Sequence, residues 1–476
     1  MEGARPAGGV ARAGAFGVRV RSSVARACAA LCLAFAALAV RASSDPLTGL
    51  LAAPGGAGLG VATRFESSPY RGGGTRYDLV PLYLYEGKRI YLHAYRFGLK
   101  LVDRPDERIE AFLAHRFEGF PYDRIPPSLA GMTARQPELD FGLGYERRGN
   151  WGALWAEWLH DATNTSDGNE LRLGYNYAWR NGRVLIRPQF MLALRSARLN
   201  DYYYGVRADE ATATRPAYMP GDGVNAQVAL YASYDLTARS RLLAGATLTR
   251  WSEGVRRSPI VDDRTQASGL LGWMYDFSPR EEPWPERTPL VFKVEYGRST
   301  DCNLVAIMRL GCTSTRTLDN TRIAGFEIGR PFVRQLHGWP LDFVGYLGLV
   351  RHDENGLQQN AWQLDAYIKA YYYGFPWSDR VRTRLGFGAG LSYAQRIPYV
   401  EARDQERRGR NTSRLLNYLD PSIDVSLGDL LRVRSLRETY FGFGVSHRSG
   451  IFGTSQLLGN VNGGSNYIYS YVETSF

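Results

Sequence analysis

The sequence contains little cysteine, histidine or lysine, and it lacks a long apolar run. Among its 476 residues are 4 Cys and 6 His, and the histidines show no metal-ligand spacing, so neither a metal nor another cofactor is expected. No run of about 18 apolar residues occurs, which excludes a membrane protein built from helices. Intrinsic disorder is also excluded, because Tyr, Phe and Trp make up 13% of the chain and can bury a large apolar area.

The first 42 residues have the pattern of an export signal. Residues 1–26 hold five arginines and a single acid, Glu2, and an apolar segment follows from Ala27 to Val40. That segment is too short to span a bilayer but typical of a signal-peptide core, and the small residues 42–44 provide a cleavage site. We therefore expect residues 1–42 to be a cleavable signal peptide; the alternative is a buried N-terminal helix.

Arginine supplies nearly all of the positive charge. Of the 58 Lys and Arg residues only four are lysine, and the formal net charge is +11. Because Arg binds phosphate bidentately, phosphate-rich outer-membrane lipids such as lipopolysaccharide are expected partners, for example at the basic run 407–410. A GC-rich genome, which favours Arg codons, is the alternative explanation. Nucleic acid is not expected as a partner of an exported chain.

Two cysteines remain once the signal is removed. Cys302 and Cys312 enclose a short segment, DCNLVAIMRLGCTST. In an oxidising compartment this spacing predicts one disulfide on a loop. A metal site is less favoured, since neither a His nor a second Cys pair lies nearby.

Short segments in which apolar and polar residues alternate dominate the chain after the signal. Leu79–Tyr85 and Arg89–Lys100 flank a Glu-Gly-Lys turn and predict a β-hairpin of two strands. Similar segments, such as Gly152–Leu159, recur to the end, and Asn, Asp, Gly and Pro lie between them. At about ten residues per strand plus turns, the chain has room for roughly 18–20 strands.

An exported all-β chain forms either a soluble sandwich or propeller, or a transmembrane barrel. Clusters of Tyr near segment ends (Tyr202–Tyr204 and Tyr371–Tyr373) and strands long enough to cross at a tilt favour the barrel. The final strand, NYIYSYVETSF, ends at Phe476 and is similar to the insertion signal of bacterial barrels, with Thr474 where an aromatic is usual. We predict an all-β fold of antiparallel transmembrane outer-membrane β-barrels, as two barrels in tandem or one wide barrel.

Several short motifs occur in a characteristic order in the first half. They are Gly58–Ala62, Tyr70, Arg76-Tyr77, Pro81-Leu82, Asp201–Val206, Arg215-Pro216, Tyr218, Ser258–Val261, Tyr275 and Phe277. In this order they make residues 43–279 resemble the MipA/OmpV family. The resemblance implies an outer-membrane barrel with a scaffold role that bridges a periplasmic murein hydrolase and a murein synthase. The charged, proline-bearing segment 280–288 is expected to be a linker.

The second half, residues 289–476, contains a different motif. Ser446–Ile451 follows a predicted strand, and Gly463–Asn466 leads into the last one. This arrangement is similar to the PagL-type lipid A 3-O-deacylases, which are eight-stranded outer-membrane barrels with a His-x-Ser pair on a late strand. The resemblance implies a lipid A ester hydrolase.

His447 and Ser449 are the candidate catalytic pair. Residues i and i+2 of a strand project to the same face, so the imidazole could take the serine proton for attack on an ester. A third group should orient the imidazole, and the candidates are Glu473 and, as the alternative acid, Glu438. The sequence departs from the family at Gly450, where Asn is usual. A strand-end His and Ser without chemistry is the alternative interpretation.

Three functions from different classes follow from these patterns. The main prediction is an envelope scaffold, because its resemblance covers more of the chain. The first alternative is the ester hydrolase, which needs His447 and Ser449 intact with an acid nearby. The second alternative is a passive pore, which needs a wide, charged lumen.

Overall fold

The computed structural model describes residues 46–47, 51, 56–121, 124–262, 264–277 and 289–475. The predicted signal peptide (1–42), the predicted linker (280–288) and Phe476 lie outside these residues.

The first barrel is an antiparallel sheet of thirteen strands that closes on itself through the pairing of β1 with β13. Its strands are β1 (Gly56–Ser67), β2 (Thr75–Glu86), β3 (Ile90–His93), β4 (Arg96–Asp103), β5 (Glu107–Arg116), β6 (Glu138–Gly149), β7 (Gly152–Asp161), β8 (Asn169–Asn176), β9 (Trp179–Asn181), β10 (Val184–Arg195), β11 (Gly223–Asp235), β12 (Ser240–Arg250) and β13 (Thr265–Asp276). Because β8 and β9 pair with successive parts of β10, they share one position, which leaves twelve positions around the wall.

The second barrel is a separate closed ring of eight antiparallel strands, completed by the pairing of β14 with β21. Its strands are β14 (Val291–Ser299), β15 (Arg322–Val333), β16 (Leu341–Asp353), β17 (Ala361–Tyr372), β18 (Thr383–Ala394), β19 (Leu415–Ser426), β20 (Thr439–Ser449) and β21 (Asn466–Ser475). The structure therefore has two barrels rather than one wide one, a choice that the sequence left open.

The helices are short and lie in the connections between strands. They are α1 (Ala197–Tyr204), α2 (Glu253–Arg256), α3 (Leu304–Met308), α4 (Tyr399–Arg407) and α5 (Leu427–Leu431). None of the helices in the described part of the chain has the length and apolar character needed to cross a membrane.

Side chains alternate between the lumen and the outer face of each wall. In β7, Glu157 points into the first barrel and is buried, whereas Leu154 is 55% exposed. In β17, Lys369 is fully buried in the second barrel, whereas Trp362 and Leu364, on the outer face of the same strand, are exposed. In a soluble protein, charged side chains are mostly exposed and apolar side chains are mostly buried. The reverse distribution is found here, and it is the pattern of a barrel wall that faces lipid.

The connections differ in length between the two ends of the barrels. At one end they are long, for example 117–137, 196–222, 300–321 and 395–414. At the other end of the first barrel they are tight, for example 87–89 and 150–151. We call these the long-loop end and the short-turn end. Transmembrane barrels place short turns in the periplasm and longer loops outside.

One predicted strand of the first barrel is wrong. Arg89–Lys100 is not a single strand, because the chain turns at Ala94-Tyr95 and forms the hairpin β3–β4 instead. Ala94 adopts a left-handed backbone conformation (φ 52°), which residues other than glycine rarely adopt. The sequence did not mark this reversal, because neither Ala94 nor Tyr95 is a residue typical of turns. The hairpin reaches only part of the way up the wall.

The low hairpin leaves a gap between β2 and β5 on the side of the long-loop end. β3 pairs with β2 only at residues 84–86, and Ala94 donates to the carbonyl of Tyr83. Beyond that point, residues 75–82 of β2 pair with β1 on one side but have no strand on the other among the described residues. We call this gap the wall opening.

Candidate functional site

The predicted catalytic pair lies on the outer face of the second barrel near its long-loop end. On β20, His447 and Ser449 alternate with the lumen residues Ser446 and Arg448, as the i, i+2 rule predicts. His447 Nδ1 lies 2.6 Å from Oδ1 of Asn466, the residue directly opposite on β21. In the described structure, no hydrogen bond joins His447 to Ser449.

Neither predicted acid lies near His447. Glu473 faces the lumen, where it accepts hydrogen bonds from Tyr346 (2.8 Å), Tyr371 (3.0 Å) and Arg384 (2.8 Å). It pairs with Tyr440 near the start of β20, seven residues before His447, which is about 23 Å along the strand at roughly 3.3 Å per residue. Glu438 precedes β20 at the short-turn end and pairs with Arg382. The structure thus brings His and Ser to one face but not the acids.

Cys302 and Cys312 are joined by a disulfide, with a Cα–Cα distance of 5.7 Å. The loop that it closes carries α3 and packs Cys302 and Ile307 against Val445. Since Val445 projects from the same face of β20 as His447, the disulfide loop covers the outer wall next to the predicted pair.

The wall opening is filled by the connection between β20 and β21 of the second barrel. We call this connection, residues 450–465, the bridging loop. The amide of Leu79 on the free edge of β2 donates to the carbonyl of Thr454 (2.9 Å), so the bridging loop takes the place of a strand. Arg124, from the loop after β5, donates to Oδ1 of Asn460 (2.6 Å) on the other side of the opening.

Gln456 carries the bridging loop through the wall to the lumen of the first barrel. Its backbone amide donates to Asp78, and its Nε2 donates to the carbonyl of Phe117 (2.9 Å). Its Oε1 accepts from Nη2 of Arg64, a lumen residue (2.9 Å). One residue of the second barrel, through its backbone amide and its side chain, therefore links both edges of the opening to the interior of the first.

Apolar contacts hold the same junction. Leu457, Leu458 and Val461 of the bridging loop are fully buried, in one cluster with Val80 and Leu82 of β2. Burying a leucine contributes about 1.5–3 kcal/mol, against about 0.5–1.5 kcal/mol for a typical hydrogen bond. The leucines therefore contribute most of the stability of the junction, while Gln456 and Leu79 determine its register.

Paired charges fill the middle of the second barrel's lumen. Lys293 lies 3.1 Å from Glu295, 3.2 Å from Glu327 and 3.6 Å from Asp420, and Lys369 lies 2.6 Å from Asp420. All five side chains are completely buried. Because lysines and carboxylates alternate across the barrel axis, they cross-link facing strands and block the middle of the lumen. A cavity of about 290 Å³ remains at its short-turn end, lined by Tyr371, Arg384 and Glu473.

The lumen of the first barrel is also charged, but it retains a cavity of about 310 Å³. Ion pairs such as Arg96 with Glu110 (2.6 Å) and Arg195 with Glu118 (2.7 Å) cross-link its strands. The cavity lies above the low hairpin and reaches up to Trp251 at the long-loop end. In the described ranges, no group of three or more His, Cys, Asp or Glu side chains is arranged to hold a metal ion.

The long loops of the first barrel fold into a cap. Tyr203 and Tyr204 of α1 are buried in it with Tyr70 and Phe120, so this tyrosine cluster packs inside the cap. A second element of the cap is Glu210, which binds the guanidinium of Arg135 (2.6 and 2.8 Å) and the amide of Thr133 (3.0 Å). Burial opposes ionisation, but these hydrogen bonds outweigh it and lower the pKa of Glu210 to about 2.

Sequence reasoning missed the wall opening and the cavity. Two of the residues on which the family resemblance rests, Tyr70 and Arg76, line the cavity, but nothing in the sequence showed that they meet there. In the sequence, the two ends of the bridging loop were used only for the resemblance around His447 and Ser449. The apolar pair Leu457-Leu458 within the loop was the signal that it packs against another surface.

The comparison with known families supports the interpretation of the first half. Residues 59–277 match the family model described as MltA-interacting protein MipA, which is nearly the extent of the first barrel. The resemblance of the first half to the MipA/OmpV family is therefore confirmed. The likeness of the second half to lipid A deacylases stays a prediction.

Individual relatives are outer-membrane proteins. The chain is 29% identical over 149 residues to outer membrane protein Omp26La of Vibrio anguillarum, which covers 31% of this chain and 58% of the relative. It is 28% identical to OmpV of Vibrio cholerae, with the same coverage, so it spans about 58% of the length of both Vibrio relatives. MltA-interacting protein of Escherichia coli is 26% identical over 225 residues, 47% of this chain and 89% of that protein.

Proposed function

Since residues 59–277 match the MipA family, we propose that this outer-membrane β-barrel protein is a scaffold that holds a murein-degrading enzyme at the inner surface of the outer membrane. The observation that carries the proposal is the similarity to MltA-interacting protein over 89% of that relative's length. The matched region is the first barrel with its cap and short turns, so the docking surface should belong to that barrel.

The short-turn end of the first barrel is the surface that such a partner would meet. Short turns of outer-membrane barrels face the periplasm, where murein lies. Lys88, Arg104 and Arg183 are exposed in three of these turns. They form a basic rim, and basic side chains on a rim steer and orient an acidic partner surface.

A binding experiment with matched variants tests the scaffold. The full chain in detergent micelles is mixed with purified MltA, and the dissociation constant is measured by surface plasmon resonance. We expect Lys88→Glu, Arg104→Glu and Arg183→Glu together to weaken binding at least tenfold. The matched control reverses three exposed arginines of the long-loop end, Arg198, Arg207 and Arg257, and should leave binding unchanged. Absence of binding by the parent chain, or equal loss in both variants, would contradict the proposal.

Ester hydrolysis at His447 and Ser449 is a second proposal, supported by their common outward face. Asn466, which holds Nδ1 of His447, would have to orient the imidazole in place of an acid. Mass spectrometry of lipid A from cells that express the parent chain or Ser449→Ala tests it directly. Loss of one acyl chain with the parent alone would support hydrolysis, and identical lipid A in both would exclude it.

Two further parts of the proposal concern the ends and loops of the chain. We propose that residues 1–42 are removed on export, so the mature protein should begin close to residue 43 when its intact mass is measured. We also propose that Arg407, the last residue of α4, and Arg410, just after it, contact lipopolysaccharide phosphates; both are exposed at the long-loop end. Replacing both by Gln should weaken co-purification of lipopolysaccharide, and an unchanged lipid content would contradict the proposed contact. A mass that still includes residues 1–42 would contradict the proposed cleavage.

A further inference from the structure

The cavity in the first barrel has an unusual distribution of charge. Five arginines and three glutamates line it. Four of the arginines have carboxylate partners: Arg64 pairs with Glu66, Arg116 and Arg172 with Glu170, and Arg195 with Glu118.

Arg76 is the exception. Within the residues that the structure describes, it has no carboxylate partner, although it is only 9% exposed. Its Nη1 donates to the carbonyl of Gly119 (2.6 Å), and its guanidinium lies 5.5 Å from the ring of Tyr70. Its Nη2 has no hydrogen-bond partner. A buried cation without a counter-charge is costly, because it has lost water and gained no anion in return.

Other unsatisfied groups on the lining have the same polarity as Arg76. Four buried nitrogens that line the cavity and lack a hydrogen-bond partner can only donate: Arg64 Nε, Arg76 Nη2, Arg195 Nε and Trp251 Nε1. The indole of Trp251, which can only donate, is itself 5% exposed. The lining thus offers donors and lacks the acceptors that would satisfy them.

We propose that this cavity is a binding site for a small anion, in which Arg76 and Trp251 donate to a carboxylate or phosphate group. The net positive lining supplies the attraction, and the guanidinium can donate two parallel hydrogen bonds to either kind of anion. A volume of about 310 Å³ is at the lower end of the range for small-molecule sites, so the ligand is a small metabolite rather than a polymer. The site does not depend on the scaffold function.

Calorimetric titration of the full chain in detergent micelles tests the site. Inorganic phosphate and succinate are titrated separately at constant chloride and ionic strength, so that the two arms distinguish the phosphate from the carboxylate source. We expect one site per chain for at least one probe. Removing a charged hydrogen-bond partner should weaken binding at least tenfold in Arg76→Gln, and Trp251→Phe, which loses a neutral donor, should weaken it less.

The control and a second measurement separate binding from folding. Arg71→Gln changes an exposed arginine that pairs with Asp262 outside the cavity, and it should bind like the parent. The bound anion should raise the thermal unfolding midpoint of the parent but not of Arg76→Gln. Without anion, Arg76→Gln should melt at nearly the same temperature as the parent, because it removes an uncompensated charge together with one hydrogen bond, to the carbonyl of Gly119. Absence of binding for both probes, or equal binding by Arg76→Gln and the parent, would overturn the proposal.

Discussion

The middle of the second barrel's lumen is filled, and its two lysines lie against carboxylates, whereas the cavity in the first barrel's lumen is lined by an arginine without a carboxylate partner. The walls of the two barrels differ in completeness. The ring of eight strands is complete, but the larger ring has an opening that a loop of its neighbour fills. The smaller barrel therefore has a complete wall and paired lumen charges, whereas the larger one has an unpaired cation beside its cavity and depends on its neighbour for part of its wall.

The largest expected effect tests the paired charges of the second barrel. Lys293→Met would leave Glu295, Glu327 and Asp420 with one buried cation fewer. Breaking a buried ion pair by removing one partner costs about 3–5 kcal/mol, and we expect that loss in urea unfolding followed by Trp fluorescence. The matched change in the first barrel, Arg76→Met, breaks no ion pair and removes one hydrogen bond, to the carbonyl of Gly119, so it should cost only about 1 kcal/mol. Equal losses in the two variants would erase the contrast between the lumens.

The second prediction concerns the borrowed wall. Leu458→Ala leaves a cavity where the bridging loop packs against β2 and should cost about 2–3 kcal/mol, near the low end of the range for buried leucines because a loop can partly collapse. Hydrogen exchange should rise at the free edge of β2, residues 75–82, and stay unchanged in the strands of the second barrel. Faster exchange in β14 or β21 instead would show that the bridging loop mainly supports its own barrel.

A third, smaller effect is expected at the disulfide. Replacing Cys302 and Cys312 by Ser frees a loop with a sequence separation of 10 and should cost about 2 kcal/mol, at the low end of the usual range because the loop is short. Limited proteolysis should then cut between residues 300 and 321 while both rings stay resistant. Cleavage of the first barrel under these conditions would mean that the disulfide loop also supports the junction.

The smallest effect should arise in the cap of the first barrel. The pKa of Glu210 is lowered from 4.5 to about 2, so the stability that it contributes is present above pH 4.5 and is lost as the pH falls towards 2. The amide of Thr133 donates a hydrogen bond to Glu210, so its hydrogen exchange should accelerate in that window. Glu210→Gln should exchange fast at every pH. A parent chain with the same protection at pH 2 and pH 6, after correction for intrinsic rates, would contradict this assignment.

Local patterns in the sequence predicted much of the fold. Alternation placed a strand at Gly152–Leu159, and the structure has β7 there with two more residues. The i, i+2 rule placed His447 and Ser449 on one face, where they are found. Alternation fails where a strand is interrupted without Gly, Pro, Asn or Asp, as at Ala94-Tyr95. There the tertiary environment decides, because the hairpin tip is fixed by hydrogen bonds to β2 and β5.

Long-range register was the part that the sequence could not provide. Glu473 is the only acid after Gly450, but antiparallel pairing places Asn466 opposite His447 and turns Glu473 into the lumen. A shift of one residue changes the face on which a side chain lies, and the pairing depends on every strand between. The cavity was out of reach for the same reason, since Arg76 and Trp251 meet only after the ring has closed.

The bridging loop has a consequence for how the chain matures. Arg64 and Gln456, which it joins, are separated by 392 residues, so the wall beside β2 is completed by the β20–β21 connection, which is synthesised long after β1 and β2. Contacts of such separation form late, because a long loop must close before they stabilise anything. Until then the edge of β2 is unpaired, and an unpaired edge is a template for pairing with another chain. A chain that ended after the first barrel would therefore keep that edge, and the two rings, although each has its own strands, must mature together.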